Sequence, residues 1–454
     1  LSRIRHSLLS TQYSALSTQH SALSTHYLLV MKLKFLMTLF VLCIALLCFT
    51  PAAWAFCGFY VAKADTKLYN KASQVVIARD DKKTVLTMAN DFQGEVKDFA
   101  MVVPVPTVLQ KEQVIVGKPK IIERLDAFSA PRLVEYFDPD PCEQSYARES
   151  ALPMPLPRPN LPSNRSARGG DLGVTVEARY SVGEYDILIL GAKESGGLQT
   201  WLNRNGYKIP REASSLLKPY IRQKMKFFVA KVNLDKFEES GYQYLRPLQI
   251  SYTSPKFMLP IRLGMMNALL EQDLIVYILS PQGQAEVTNY RTVKVPSDVN
   301  IPVFVKEEFA DFYKSMFQTS YTKEDRKVAF LEYAWDMASC DPCSAEPLSN
   351  SELKDAGVFW GDKSNNVFIT RLHVRYTRDK FPEDLIFQET SNKENFQGRY
   401  ILQHSFTGEA KCAAGREYKR RLNKRFELEA QTLAKLTNWN IRDIRQKIKQ
   451  KNQS

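Results

Sequence analysis

The sequence predicts an α+β fold: β-rich antiparallel sheets with inserted short helices and a helical basic C-terminal tail. Three observations carry this. Apolar runs of strand length recur from Val75 to Leu279, separated by turns rich in Gly, Pro, Asn and Asp. Helical spacing over that stretch is confined to short windows, such as Ile121, Leu125 and Phe128. Residues 415–451 then hold twelve Lys or Arg against four Asp or Glu, with Leu422, Phe426, Ala430 and Leu433 as one apolar stripe.

The stretch Tyr185–Pro210 shows the pattern most clearly. Ile187–Leu190 is an apolar run closed by Gly191. Ser195 is the expected N-cap of a helix whose apolar face is Leu198, Trp201 and Leu202, and Gly206 suits its left-handed exit. A Gly-rich turn between strand and helix invites a nucleotide site, and the residues exclude one. A P-loop needs Lys and then Ser or Thr after its last Gly, whereas Gly197 is followed by Leu198. The dinucleotide fingerprint needs Gly two places after the first, where Lys193 stands after Gly191.

Residues 1–30 are different in kind. Ser10–Leu16 reads STQYSAL, Ser17–Leu23 reads STQHSAL, and a third copy begins at Ser24. The period is seven with no apolar seam, so the segment is low-complexity and polar. Met31 is read as the start, and what precedes it as an over-extended frame. Residues 31–55 read as a secretory signal: Lys32 and Lys34, an apolar run of 15 residues from Phe35 to Phe49, and an Ala53-Trp54-Ala55 cleavage site. The run is short for a membrane span of about 20 residues. Phe56 before Cys57 is too bulky for a lipid-attachment site. Export to the periplasm or beyond, with cleavage after Ala55, is the expectation.

The remaining 454 − 55 = 399 residues exceed what one core usually holds, so two or three domains or subdomains are expected. Residues 56–142 form an N-terminal β-rich region. Strands at Val75–Ala78 and Thr84–Met88 flank a polar turn, Phe99–Val103 ends at Pro104 and Pro106, and a helix runs from Pro119 to Phe128. Residues 143–172 are a proline-rich linker or loop, with Pro153, Pro155, Pro157, Pro159 and Pro162. Residues 173–310 form a second β-rich region with strands at Val174–Tyr180, Phe227–Val232, Leu248–Thr253, Phe257–Leu263 and Leu274–Leu279, and a helix over Pro210–Lys224. Phe257–Ile261 echoes Ala100–Val105, which suggests two related β units. In residues 311–410, Thr322 caps a helix with Val328, Leu331 and Trp335 as its stripe, and a short helix over Ser349–Ala356 stops at Gly357. Phe368–Tyr376 alternates, with Arg371, His373 and Arg375 on the solvent side. Residues 411–454 are the tail, with helices over Glu417–Leu436 and Asn440–Ile448.

The whole chain carries +13; residues 1–55 hold +4 of it and residues 415–451 a net +8, so the body is nearly neutral. The tail's charges suit an anionic envelope surface, such as lipid headgroups or an acidic polymer. Nucleic acid is not a fitting partner for an exported chain. The narrow apolar stripe favours docking of the tail on the body.

Five cysteines follow Ala55: Cys57, Cys142, Cys340, Cys343 and Cys412. In an oxidising compartment they are disulfide candidates. Cys57 and Cys142 bracket the first β region and are expected to pair, with Cys412 bridged to Cys340 or Cys343. A reactive C-x-x-C thiolate wants a helix N-terminus. Cys340 and Cys343 would follow the C-terminus of the Thr322 helix instead, which favours a structural role. Zinc ligation by these two with His373, His404 or Cys412 lacks the usual spacing. Neither histidine sits beside a nucleophile motif, and no G-x-S-x-G surrounds Ser195. Asp138 and Asp140, between prolines, suit a rigid turn better than calcium. No catalytic, cofactor-binding or metal-binding residue is assigned, and no cofactor is expected.

The chain resembles a known family through these segments: Cys57–Val61, Lys71–Val76, Thr84–Asp91, Val102–Pro106, Ala130–Asp138, the Tyr185–Pro210 stretch, and Lys256–Arg262. They are similar to the exported bacterial proteins grouped as domain of unknown function 2330. The resemblance implies export and carries over no activity and no site residue. With few histidines and no nucleophile or cofactor motif, the expectation is a non-enzymatic binding or scaffold protein of the envelope or medium. The alternative is an enzyme, either a thiol oxidoreductase through Cys340 and Cys343 or an unrecognised hydrolase.

Overall fold

Alternating side chains give each strand two faces, and here both faces of two large sheets are covered. A computed structural model describes residues 59–62, 72–89, 99–143, 174–205, 213–242, 245–266, 271–341, 343, 345–361 and 366–451. Residues 1–55, with the low-complexity stretch and the expected signal, lie outside the described residues, as do Cys57, most of the proline-rich stretch and Gly206. All described residues belong to the unit Ala53–Ser454.

One sheet has five antiparallel strands in the order Phe59–Ala62, Phe99–Val105, Lys226–Val232, Tyr185–Ala192, Val174–Val182. The other has nine strands and is mixed. Its centre runs Val328–Asp336, Phe368–Tyr376, Gln272–Ser280, Ala72–Asp80, Lys83–Met88, Leu248–Thr253. The fold is α+β, as expected, although Gln272–Ser280 lies parallel to Ala72–Asp80 in the larger sheet. The inner faces pack together through Val103, Ile187 and Phe228 on one side and Ile77, Leu86, Ile250 and Val276 on the other. The helices Ser195–Arg204 and Ala213–Arg222 cover the outside of the smaller sheet through Leu198, Leu202, Leu217 and Tyr220. The helix Pro119–Ser129 covers the outside of the larger one through Ile121, Leu125 and Phe128, at the spacing read from the sequence. Strands from before and after the proline-rich stretch share both sheets, so the segment boundaries do not divide the sandwich.

Several elements differ from expectation. The helix placed at Thr322 is a strand, Val328–Asp336, preceded by a helix over Phe309–Lys323 that ends where the other was to begin. Val328, Leu331 and Trp335 have helical spacing only because nearly every residue from 328 to 335 is apolar, as in a central strand buried on both faces. Asp325 and Arg326, both left-handed (φ 56° and 59°), make the turn between the two. Ser195 is the first helical residue, with Glu194 at the cap. Pro260 limits the Phe257–Leu263 strand to Met258–Leu259. That two-residue strand is unlike the seven residues of Phe99–Val105, so the echo marks no repeated unit. The short helix expected after Ser349 is Asn350–Asp355; Ser349 caps it with a full capping box, and Gly357 (φ +96°) ends it.

The tail forms helices over Ala413–Thr437 and Ile441–Lys451, joined by a left-handed Asn438. Ala430, Leu433, Ile444 and Ile448 are buried against Phe304, Phe312, Met316 and Tyr400. Lys447 pairs with Glu308 and Lys451 with Glu307. The stripe thus docks on the body. A three-stranded parallel sheet, Val299–Asn300, Arg399–His404, Arg132–Phe137, lies beside it.

Candidate functional site

The bridges differ from the expected pairing. Cys142 joins Cys412 (Cα–Cα 5.9 Å), and Cys340 joins Cys343 (Cα–Cα 5.0 Å). Cys57 lies outside the described residues, and the expected Cys57–Cys142 and Cys412–Cys340 or Cys412–Cys343 bridges are corrected. The reason is parallel pairing. Arg132–Phe137 and Arg399–His404 run side by side in the same direction, so both chains leave at one end of the small sheet and bring Cys142 to Cys412. The helix-dipole argument at Cys340 and Cys343 also changes, because they follow a strand and a turn rather than a helix C-terminus. Cys340 is half-buried against the Leu348 and Trp360 cluster, and Cys343 is exposed.

Arg371, His373 and Arg375 share one face of their strand, as expected, but that face is buried rather than solvated. The Phe309–Lys323 helix lies over it, and Phe317 stacks on the His373 ring with 3.9 Å between centroids. A bulge in the neighbouring strand between Leu331 and Tyr333 brings Glu332 to these side chains. Six groups then alternate in sign. Asp126 accepts from Arg371 Nη1 (2.7 Å), and Arg371 Nε donates to Glu332 Oε2 (2.6 Å). Glu332 Oε1 faces His373 Nδ1 (2.8 Å), and His373 Nε2 faces Asp273 Oδ1 (3.1 Å). Arg375 closes the series with two bonds to Asp273 (2.7 and 2.8 Å). Tyr313 donates to Glu332, and Tyr277 to Asp126 (2.9 Å).

Burial opposes ionisation of Glu332, which is 1% exposed, but Arg371 and His373 outweigh it and hold the carboxyl down at about 2. Burial likewise opposes the His373 charge, and Glu332 and Asp273 overcome it, raising its pKa above 6.5. Both ring nitrogens can donate to carboxylates only when the imidazole is protonated. Three cations then balance three anions, and neither nitrogen is left to take a proton from a substrate. The zinc set weighed from the sequence is not brought together, since Cys412 is bridged to Cys142 and His373 lies in this series. Among the described residues, no group of three His, Cys, Asp or Glu is placed to hold a metal ion.

A cavity of about 140 Å³ opens between the end of the Phe99–Val105 strand, the turn that leads into Lys226–Val232, Leu86, and the segment that follows Leu248–Thr253. Pro104, Pro106, Pro255 and Pro260 contribute to its wall, with Leu86, Val105, Met225 and Met258. Lys256 Nζ donates to Gln223 Oε1 (2.7 Å) between two exposed side chains of the rim. Burial pushes the Tyr252 phenol in the wall up to about 12, so it stays neutral.

Two segments behind the resemblance, Val102–Pro106 and Lys256–Arg262, therefore line one cavity. Residues 51–388 match the family described as "Uncharacterized protein conserved in bacteria", DUF2330. The chain belongs to that family. No curated protein and no solved structure matches it.

In this DUF2330 protein the match ends at residue 388, so His404, Cys412 and both tail helices lie beyond it. Asp138 ties them to the matched part. It accepts from Tyr418 (2.5 Å), Arg425 (2.7 Å) and Gln403 (2.7 Å), while Asp140 accepts from the Cys142 backbone N–H (2.8 Å) in a turn. Both acids are thus engaged within the fold. His404 Nε2 meets Glu135 (2.8 Å), and its ring stacks on Phe137. Glu429 is 3% exposed; burial pushes its carboxyl up to about 7, with Arg425 opposing and Asp138 adding.

Proposed function

We propose that the protein is an exported envelope or secreted protein that binds a partner or ligand and is not an enzyme. The observation that supports binding over turnover is the closed charge series through Arg371, Glu332 and His373. The ionisable side chains of this series, which could otherwise do acid–base chemistry, are spent on one another. Export rests on the Lys32, Lys34, Phe35–Phe49 and Ala53-Trp54-Ala55 pattern, and two bridged cysteine pairs are compatible with it. Among the described residues, no helix is long and apolar enough to cross a membrane. Arg416, Lys419, Arg420 and Lys424 are exposed on the first tail helix and are the proposed contact with an anionic envelope surface.

One observation favours a second reading, a thiol oxidoreductase. Cys343 is exposed, and its bridge spans only three residues, so opening it disturbs little. Graded reduction of the native full chain, followed by alkylation and peptide mapping, separates the readings. The binding reading expects both bridges to resist mild dithiol. Label appearing on Cys340 and Cys343 while Cys142–Cys412 stays closed would transfer the case to the oxidoreductase.

A further inference from the structure

We propose, resting on the binding reading, that the proline-lined cavity is a seat for a one-ring aromatic carboxylate. Its volume of about 140 Å³ is the size that holds a single benzene ring in a protein interior. A long acyl chain exceeds it, and a free phosphate or sulfate would meet apolar walls with little to bond. Pro104, Pro106, Pro255 and Pro260 line it, and pyrrolidine C–H groups suit an aromatic face. An unfilled apolar cavity forfeits the dispersion contacts of its lining, and a ring of the right size restores them.

Charge sets the orientation. Among the described residues, Lys256 is the one charged residue of the lining, and it sits exposed at the rim. Its ammonium bonds a neutral acceptor, Gln223 Oε1. A ligand carboxylate would replace that acceptor with a charged one at little cost, because both side chains are free to swing. Buried Arg79, which bonds the lining residue Ser254, does not compete. It donates to Thr84 Oγ1 (2.8 Å) and Ser254 O (3.2 Å), lies over the Phe257 ring, and pairs with Glu389. The ring therefore enters first, and the carboxylate stays at Lys256.

The test uses the full chain, with phenylacetate and toluene as probes followed by NMR and thermal shift. Phenylacetate is expected to bind saturably with a dissociation constant on the order of 1 mM or tighter. Lys256→Ala, at an exposed position, should weaken phenylacetate roughly five-fold or more and leave toluene unchanged. Met258→Trp should fill the cavity and abolish both. Absence of saturable binding by either probe overturns the proposal, as does phenylacetate binding that survives Met258→Trp or is indifferent to Lys256→Ala. If the probes fail while Cys340–Cys343 stays inert to mild dithiol, the seat alone falls. Selective opening of that bridge removes the binding reading itself.

Discussion

Replacing Cys142 and Cys412 by Ser is expected to lower the unfolding free energy by about 5 kcal/mol. The bridge spans 270 residues and closes more than half of the chain into one loop. In the chain-entropy model the denatured ensemble loses more freedom the longer the loop, so this cross-link lies near the top of the range for disulfides. It also holds the start of the tail helix, since Cys412 is its N-cap and accepts from Gly415 N. The Cys340–Cys343 bridge is the internal control. Its sequence separation is three, and the same model gives it about 2 kcal/mol. Denaturant unfolding of the two double variants under oxidising conditions should rank them in that order. Equal losses would mean that the long bridge does not constrain the denatured chain.

Glu332→Ala should cost about 3–5 kcal/mol, the range for removing one partner of a buried ion pair. Arg371 and His373 would each lose a carboxylate while remaining buried; their side chains are 8% and 12% exposed. Water cannot readily replace what the carboxylate supplied. Glu332→Gln keeps one acceptor oxygen and should cost less. A Glu332→Leu, Arg371→Met double variant removes both charges and should recover part of the loss, because well-packed apolar pairs often replace buried ion pairs without penalty. Equilibrium unfolding of the three variants gives the order. A loss below about 1 kcal/mol for Glu332→Ala would place the pair in solvent.

Local elements were legible because their causes are local. The short helix after Ser349 that stops at Gly357, the hairpin turning at Asp81 and Lys82, and the Ile121, Leu125, Phe128 stripe each depend on a few neighbouring residues. The stretch 328–335 was misread because a strand buried on both faces carries no period, so its helical spacing was accidental. What the other face of Phe368–Tyr376 meets is decided elsewhere in the chain. Asp126, Asp273 and Glu332 come from 39 to 245 residues away. One signal could have been used: Glu332 is the lone carboxylate inside the apolar run Val328–Trp335, and a charge there needs a buried partner. The disulfide pairing had no such signal, because it follows from parallel strands 267 residues apart in register.

The reading of this protein as a binder turns on the charge series being closed to chemistry, and the ionisation of His373 tests that most directly. Its ring signals can be followed by NMR across pH in the full chain. Glu332 and Asp273 should keep the imidazolium charged above the ordinary histidine value of about 6.5. The linked contribution to stability is then complete below about pH 6.5 and is lost as pH rises through the higher folded value. A ring that titrates at or below about 6.5, with stability flat across that range, would show a nitrogen free to act as a base and would contradict the account.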